Sequence, residues 1–162
     1  MEEPTGRMSP VVDPLQTDEG LASTTPPDTF RLVRTWSVET ARDLSRLRSE
    51  ILAEVSPGGA GPVQELDSTA HSLVLVASEL ATNALKHGIP PTVVRLLRDR
   101  GTYLIDVADH DLTRVPYLAG ERAPGRGGFG LQIARRLAVD VGWYATEHTK
   151  HVWAIFPVPA EA

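Results

Sequence analysis

The sequence predicts an α+β fold, a two-layer α/β sandwich with helices on one face of a mixed, mostly antiparallel sheet. Segments with alternating apolar residues, as strands require, are interspersed with longer segments in which apolar residues recur every three to four positions, as amphipathic helices require. Short turns between neighbouring strand-like segments favour hairpins. The 162 residues suffice for one such domain with its own core.

Residues 1–28 are expected to form a disordered tail. This stretch contains five prolines and no aromatic residue, and six acidic side chains accompany one basic side chain within the first 30 positions. Such a composition buries too little apolar surface to offset the entropy lost on ordering. The folded domain is therefore expected over residues 29–158.

A strand and two helices open the domain. Alternating residues from Phe30 to Trp36 predict a short strand, and Ser37 offers an N-cap for a helix that the glycine- and proline-rich stretch 57–62 ends. Between Asp67 and His87, seven apolar residues follow the i, i+3, i+4, i+7 pattern of a longer helix.

Two hairpins and a third helix complete the sheet and its cover. The predicted strands are Thr92–Leu97, Tyr103–Ala108, Val141–Thr146 and Val152–Val158. A third helix begins at Leu131, after the long loop 109–128. A loop of that length inside so compact a domain is usually functional.

Composition and charge exclude several classes of function. The chain has no cysteine, so disulfide frameworks and cysteine-ligated zinc sites are excluded, and a reducing cytoplasm is the expected location. No apolar run reaches the ~18 residues of a membrane span. Membrane insertion is therefore not expected. With a net charge of −5, the chain lacks the basic surface of a nucleic-acid binder, so direct nucleic-acid binding is not expected either.

Four polar residues lie on one side of the second helix, opposite its apolar stripe: Glu79, Asn83, Lys86 and His87. A solvated face would have this pattern, and the helix dipole alone favours a histidine at the C-terminus. Asparagine is a poor helix former, however, and its amide oxygen suits a hard cation such as Mg²⁺. The pattern is compatible with either a solvated face or a cation site.

Two further features could contact a ligand. Asp109 follows a strand, where its carboxylate could accept a hydrogen bond from a purine amino group or form a local turn. The run from Gly125 to Gly130 has four glycines in six positions and precedes a helix, an arrangement that suits an anion. It formally matches the dinucleotide-binding motif, but that motif needs a strand directly before it. A merely flexible loop is the other alternative.

Taken in order, three segments resemble the boxes of the GHKL, or Bergerat-fold, ATPases. Ser78–Gly88 is similar to the N box, Val107–Asp109 to the start of the first glycine box, and Gly125–Leu131 to the second. The compact length and the segment Lys150–Phe156 look most like the anti-sigma-factor serine kinase branch. The likeness covers about residues 29–158. The chain departs from it directly after Asp109, where the family usually has glycines.

The resemblance implies a role for each matching residue. Asn83 would ligate Mg²⁺, Glu79 would orient or deprotonate the attacking hydroxyl, and Asp109 would contact adenine. ATP would also contact Lys86, His87 and, beneath a lid over Tyr117–Gly125, the second glycine box: Gly125, Arg126, Gly127, Gly128, Phe129, Gly130 and Leu131.

The function implied is that of a cytoplasmic, ATP- and Mg²⁺-dependent serine/threonine kinase in transcription regulation. It would bind a sigma factor and phosphorylate a serine on an anti-anti-sigma protein of the STAS class, and the resemblance is compatible with a homodimer. Two alternatives stay open. One is a nucleotide-binding interaction module without kinase activity, and the other is the detached catalytic domain of a histidine kinase.

Overall fold

The structure is a computed structural model that describes residues 21–56, 64–113 and 129–157. The elements, in chain order, are β1 (Arg31–Val38), α1 (Ala41–Val55), α2 (Gln64–His87), β2 (Thr92–Asp99), β3 (Thr102–Asp109), α3 (Phe129–Leu137), β4 (Asp140–Ala145) and β5 (Lys150–Pro157). No helix within the described ranges is long and apolar enough to cross a membrane.

The five strands form one sheet in the order β1-β2-β3-β5-β4, and each neighbouring pair is antiparallel. The predicted α+β architecture is confirmed. The sheet is less mixed than expected, because the parallel pairing in the described part of the chain is one isolated bridge between Ser23 and Trp143.

The two faces of the sheet differ, because alternate residues of a strand point to opposite sides. One side, the helix face, packs against the helices in a single core. That core includes Leu47, Ile51, Leu73, Ala77, Leu80 and Ala134 of the helices and Trp36, Val94, Ile105 and Phe156 of the strands. The opposite side, the outer face, has a smaller cluster of Leu104, Trp153 and Ile155, against which Phe30, Leu97 and Tyr144 pack.

The start of α1 differs from the prediction. Ser37 does not cap this helix, because β1 continues to Val38 and Ser37 pairs with Val93 of β2. Thr40 is the N-cap, and its hydroxyl and the Asp43 carboxylate each accept a hydrogen bond from the other residue's backbone N–H. The N–H groups of Glu39 and then Thr40 lower the pKa of the Asp43 carboxyl. This reciprocal capping box fixes the boundary.

Residues 21–30, which we call the strap, cross the outer face. Thr24 donates its N–H to the Trp143 carbonyl at the β4 edge (2.8 Å), and its own carbonyl accepts a hydrogen bond from the Trp153 indole (2.8 Å). Thr29 donates its hydroxyl to the Asp99 carboxylate at the end of β2 (2.7 Å). The seven residue steps from Thr24 to Arg31 span about 23 Å, enough for the roughly 19 Å between the outer strands of the sheet.

The strap corrects the expected domain boundary. Residues 21–28 were assigned to the disordered tail, yet Leu21 is buried in the main core and residues 22 and 24 pair with Trp143. Proline and acidic residues disfavour a self-contained core, but they do not prevent an extended segment from binding to an existing sheet. Residues 1–20 lie outside the described residues.

Candidate functional site

The polar face of α2 lies on the side of the helix that does not enter the core. Glu79 and Asn83 are half-buried, whereas Lys86 and His87 are exposed in the last turn. The helix is continuous through these positions, so residues four apart are neighbours with their Cα atoms about 6 Å apart along the axis. The structure therefore places all four predicted residues on the last three turns of one helix.

The end of α2 meets Asp109. Gly88 closes the helix by donating its N–H to the Ala84 carbonyl (2.8 Å). A Cβ atom added to Gly88 would lie 2.6 Å from the Asp109 Cγ and 2.7 Å from its Oδ2, so any larger residue would displace the carboxylate. Glycine here permits direct packing of the aspartate against the helix end.

Asp109 is the buried last residue of β3, and its carboxylate contacts Asp111 and Lys150. Its Oδ1 accepts a hydrogen bond from the Asp111 N–H (2.7 Å), which is the local turn that the sequence left open as an alternative. Its Oδ2 lies 3.6 Å from the Nζ atom of Lys150, the residue opposite it in the β3–β5 register. A carboxylate has about four acceptor positions, so these contacts leave capacity for a ligand donor.

Lys150 was not among the predicted site residues. It is 9% exposed, and its contact with Asp109 places a positive charge within the helix-face end of the sheet. This contact holds the aspartate in position. Removing either partner would leave an uncompensated buried charge, which is strongly destabilising. A lysine at the start of a strand gives no sequence signal for this role, because the contact depends on pairing between distant segments.

Two buried polar atoms of residues near the end of β3 lack a hydrogen-bond partner within the described ranges. They are the hydroxyl of Thr92 and the Nδ1 atom of His110. Thr92 precedes Val93, which pairs with Ala108, so Thr92 and Asp109 end neighbouring strands side by side. Each such atom costs about 1–3 kcal/mol unless something satisfies it. The position of the Thr92 hydroxyl next to a buried carboxylate indicates a site for a polar ligand.

The predicted phosphate site is described only at its helical end. Gly125, Arg126, Gly127 and Gly128, and the expected lid Tyr117–Gly125, lie outside the described residues. α3 begins at Phe129 rather than Leu131, so Phe129, Gly130 and Leu131 are its first three residues. Ala134 of α3 joins the core that contains the apolar side of α2. The N-terminal amides of α3 therefore belong to the same layer as the Glu79 helix.

A comparison with protein families identifies the domain to which these residues belong. The model of the histidine kinase-like ATPase domain matches residues 26–156, from the strap to the end of β5. The chain belongs to this family. The resemblance to the GHKL ATPases is thereby confirmed at the level of the superfamily, and the anti-sigma branch stays a prediction. No curated protein matches the chain.

A histidine kinase-like ATPase domain binds ATP, typically with Mg²⁺, and the residues present fit both. The Asp109 carboxylate is a hydrogen-bond acceptor, which suits a base that offers an amino group. Within the described ranges, no group of three or more histidine, aspartate or glutamate side chains could hold a metal ion. Beside nucleotides, Mg²⁺ is usually bound by one or two protein oxygens together with phosphate oxygens and water, and the amide oxygen of Asn83 has the chemistry of such a ligand.

Proposed function

We propose that this ATPase domain is a serine/threonine protein kinase of the anti-sigma type. It binds a sigma factor and phosphorylates a serine on a STAS-class antagonist. The observation that carries the proposal is the pair Glu79 and Asn83, one turn apart on α2, whose end packs against the buried Asp109. A carboxylate and a hard-cation ligand at this spacing, on a helix that ends beside a buried carboxylate, are components that phosphoryl transfer to a hydroxyl needs.

The chemistry divides among the residues of this chain. Asp109 accepts a hydrogen bond from the adenine amino group, and the N-terminal amides of α3 face the phosphates. Asn83 would hold Mg²⁺, which when bound would supply charge neutralisation at the transferring phosphoryl group. Glu79 orients the attacking serine hydroxyl and takes its proton as the new P–O bond forms. Phosphoryl transfer depends mainly on such positioning and charge compensation.

The substitution Glu79→Gln tests the proposal directly. A base acts in the transition state, so the variant should keep its ATP affinity within about twofold and lose phosphotransfer by ~10²-fold or more. Glu54→Gln is the matched control, because Glu54 is a half-exposed glutamate on α1 that pairs with Arg34. Calorimetry measures binding, and transfer from γ-labelled ATP to proteins of the native cell measures activity. Undiminished transfer by Glu79→Gln would exclude the assigned role.

Phosphoamino-acid analysis of the labelled product decides between the proposal and its alternatives. Serine phosphate supports the anti-sigma type of kinase. Acid-labile phosphohistidine would instead identify a detached histidine kinase domain. A native protein that binds ATP but labels nothing would identify an interaction module. Recovery of a sigma factor and a STAS-class protein from the same cells, one bound with Mg-ATP and the other without, would support the proposed partners.

A further inference from the structure

A hydrogen-bonded chain of polar side chains lies on the outer face, away from the ATP site. Asp106 and His151 are both buried, and the His151 Nδ1 atom lies 2.8 Å from the Asp106 Oδ1. The His151 Nε2 atom lies 2.8 Å from the hydroxyl of Thr149, a half-buried residue in the β4–β5 turn. Tyr144 stacks on the imidazole, with ring centroids 4.5 Å apart, and donates its hydroxyl to Asp106 (3.2 Å).

The acceptor groups in this hydrogen-bonded network fix the direction of its hydrogen bonds. A carboxylate only accepts, so in the neutral imidazole the proton lies on Nδ1 and Nε2 is left as an acceptor. The Thr149 hydroxyl must then donate to Nε2. Thr146 supplies the complementary donor, since its Oγ1 lies 2.7 Å from the Thr149 Oγ1 and accepts the N–H groups of His148 and Thr149.

This arrangement has the three parts of an activated nucleophile: a hydroxyl, a base within hydrogen-bond reach, and a carboxylate that orients the base. We propose that Thr149 is a base-activated hydroxyl that accepts a phosphoryl group. Its Oγ1 forms a bond to the γ-phosphorus of a nucleoside triphosphate as the bond from that phosphorus to the β,γ-bridging oxygen breaks. The diphosphate leaves, and the hydroxyl proton passes to the Nε2 atom of His151, where Asp106 stabilises the imidazolium.

The donor nucleotide belongs to a second copy of the chain. Thr149 and His151 lie on the outer face, whereas the intervening Lys150 points to the helix face, where it contacts Asp109. A nucleotide held beside Asp109 is therefore on the other side of the sheet from the hydroxyl of the same molecule. Transfer to Thr149 is thus intermolecular, and this source of the phosphoryl group rests on the proposed kinase function.

A probe that needs no kinase site tests the hydroxyl itself. Diisopropyl fluorophosphate reacts with base-activated hydroxyls by loss of fluoride, and peptide mapping locates the label. We expect labelling at Thr149 and none at Thr102, a threonine whose hydroxyl donates to the Asp99 carbonyl at the far end of the sheet. This comparison within the native protein needs no variant. Equal labelling of both threonines, or none at Thr149, would overturn the proposal.

Variants then test the base. Asp106→Asn should slow labelling of Thr149 by ~10²-fold or more, as removal of an orienting carboxylate does elsewhere. Thr149→Ser should retain the label, and thermal midpoints show which variants are folded. Labelling that Asp106→Asn leaves unchanged would reduce the network to a structural role.

Incubation with Mg-ATP tests the proposed source of the phosphoryl group on Thr149. Phosphate on Thr149 that forms at a rate proportional to the square of protein concentration supports transfer between copies. A protein that phosphorylates its partner but never Thr149 would refute the assignment as acceptor. A protein that reacts with the probe but transfers no phosphate to any protein would leave the activated hydroxyl in place and refute the kinase function instead.

Discussion

A substitution at Thr92 should affect ATP binding and protein stability in opposite directions. Thr92 is 1% exposed, and its hydroxyl is unpartnered within the described ranges, beside the carboxylate that would receive adenine. Replacing an unsatisfied buried hydroxyl by an apolar group of similar shape removes a desolvation cost. Thr92→Val should therefore raise the thermal midpoint of the nucleotide-free protein by about 2–4 °C. If the hydroxyl contacts the nucleotide, the same variant should bind ATP about 5–10-fold more weakly.

Scanning fluorimetry and calorimetry measure the two effects on the same samples. Thr102→Val is the matched control, because its hydroxyl is already bonded to the Asp99 carbonyl. This control should lower the midpoint and leave ATP affinity unchanged. An unchanged ATP affinity in Thr92→Val would show that the hydroxyl takes no part in the site.

Asn83 carries a prediction about the metal. If its amide oxygen ligates Mg²⁺, then Asn83→Ala should weaken binding of Mg-ATP far more than binding of ADP measured with a chelator. The reason is that the lost contact exists only when the ion is bound. Calorimetry with and without the metal gives the comparison. Equal losses would mean that the residue shapes the pocket without touching the ion.

The sequence predicts residues within one helix well and contacts between segments poorly. Helical periodicity alone places Glu79 and Asn83 on the side of α2 away from the core, as the structure has them. The contacts of Asp109 with Gly88 and Lys150 depend instead on how α2 and β5 meet β3. No local pattern encodes those meetings, so neither Gly88 nor Lys150 could be assigned to the site.

The boundaries of helices and strands also depend on contacts between distant segments. The predicted helices and strands all exist, but Ser37 was assigned to a helix cap because its pairing with Val93 is not visible in the sequence. The strap was missed for a related reason. Its two prolines and one aspartate resemble the composition of the preceding residues, whereas its order comes from contacts with Trp143 and Trp153.

Two truncations test the strap. Deleting residues 1–28 removes the buried Leu21, the pairing with Trp143 and the acceptor of the Trp153 indole. The sum of one buried leucine and a few hydrogen bonds predicts a loss of about 3–5 kcal/mol in the free energy of unfolding. The thermal midpoint should fall by about 10 °C.

Deleting residues 1–20 keeps all of these contacts, so its midpoint should stay within about 2 °C of the full chain. Calorimetric or fluorescence melting of the three proteins, with Trp143 and Trp153 as natural reporters, gives the answer. Two truncations with the same midpoint would show that the strap contributes nothing to the stability of the sheet.

The whole sheet separates two kinds of chemistry by its faces. The helix face holds the Asp109–Lys150 pair, where we propose the ATP site, whereas the outer face holds the strap and the hydrogen-bonded network of Thr149. Both hairpins were predictable, because their strands are neighbours in sequence. The β1–β2 and β3–β5 pairings span one or more helices. Local sequence patterns cannot predict the resulting strand order. This order brings Asp109 of β3 opposite Lys150 of β5.

Alkaline pH should reveal how the outer face contributes to global stability. Burial, together with the charge of Asp106 and the hydrogen bond to it, raises the pKa of Tyr144 to about 12, against the opposing effect of Arg95. The phenol of the unfolded chain ionises near pH 10. Below pH 10 both states are neutral, and the stabilisation is complete. Between pH 10 and 12 only the unfolded state ionises, so stability is lost as the pH rises through this window.

Two pKa units correspond to about 2.7 kcal/mol, and partial exposure of the ring reduces the expected loss to about 1–2 kcal/mol. Tyr144→Phe should therefore unfold in urea with a smaller decrease in free energy between pH 9.5 and 12 than the native chain. A residual slope should remain, because burial also raises the pKa of Tyr103. If the two proteins lost stability in parallel over this range, Tyr144 would not be held neutral by Asp106 and burial, and the hydrogen bond that it donates on the outer face would be absent in solution.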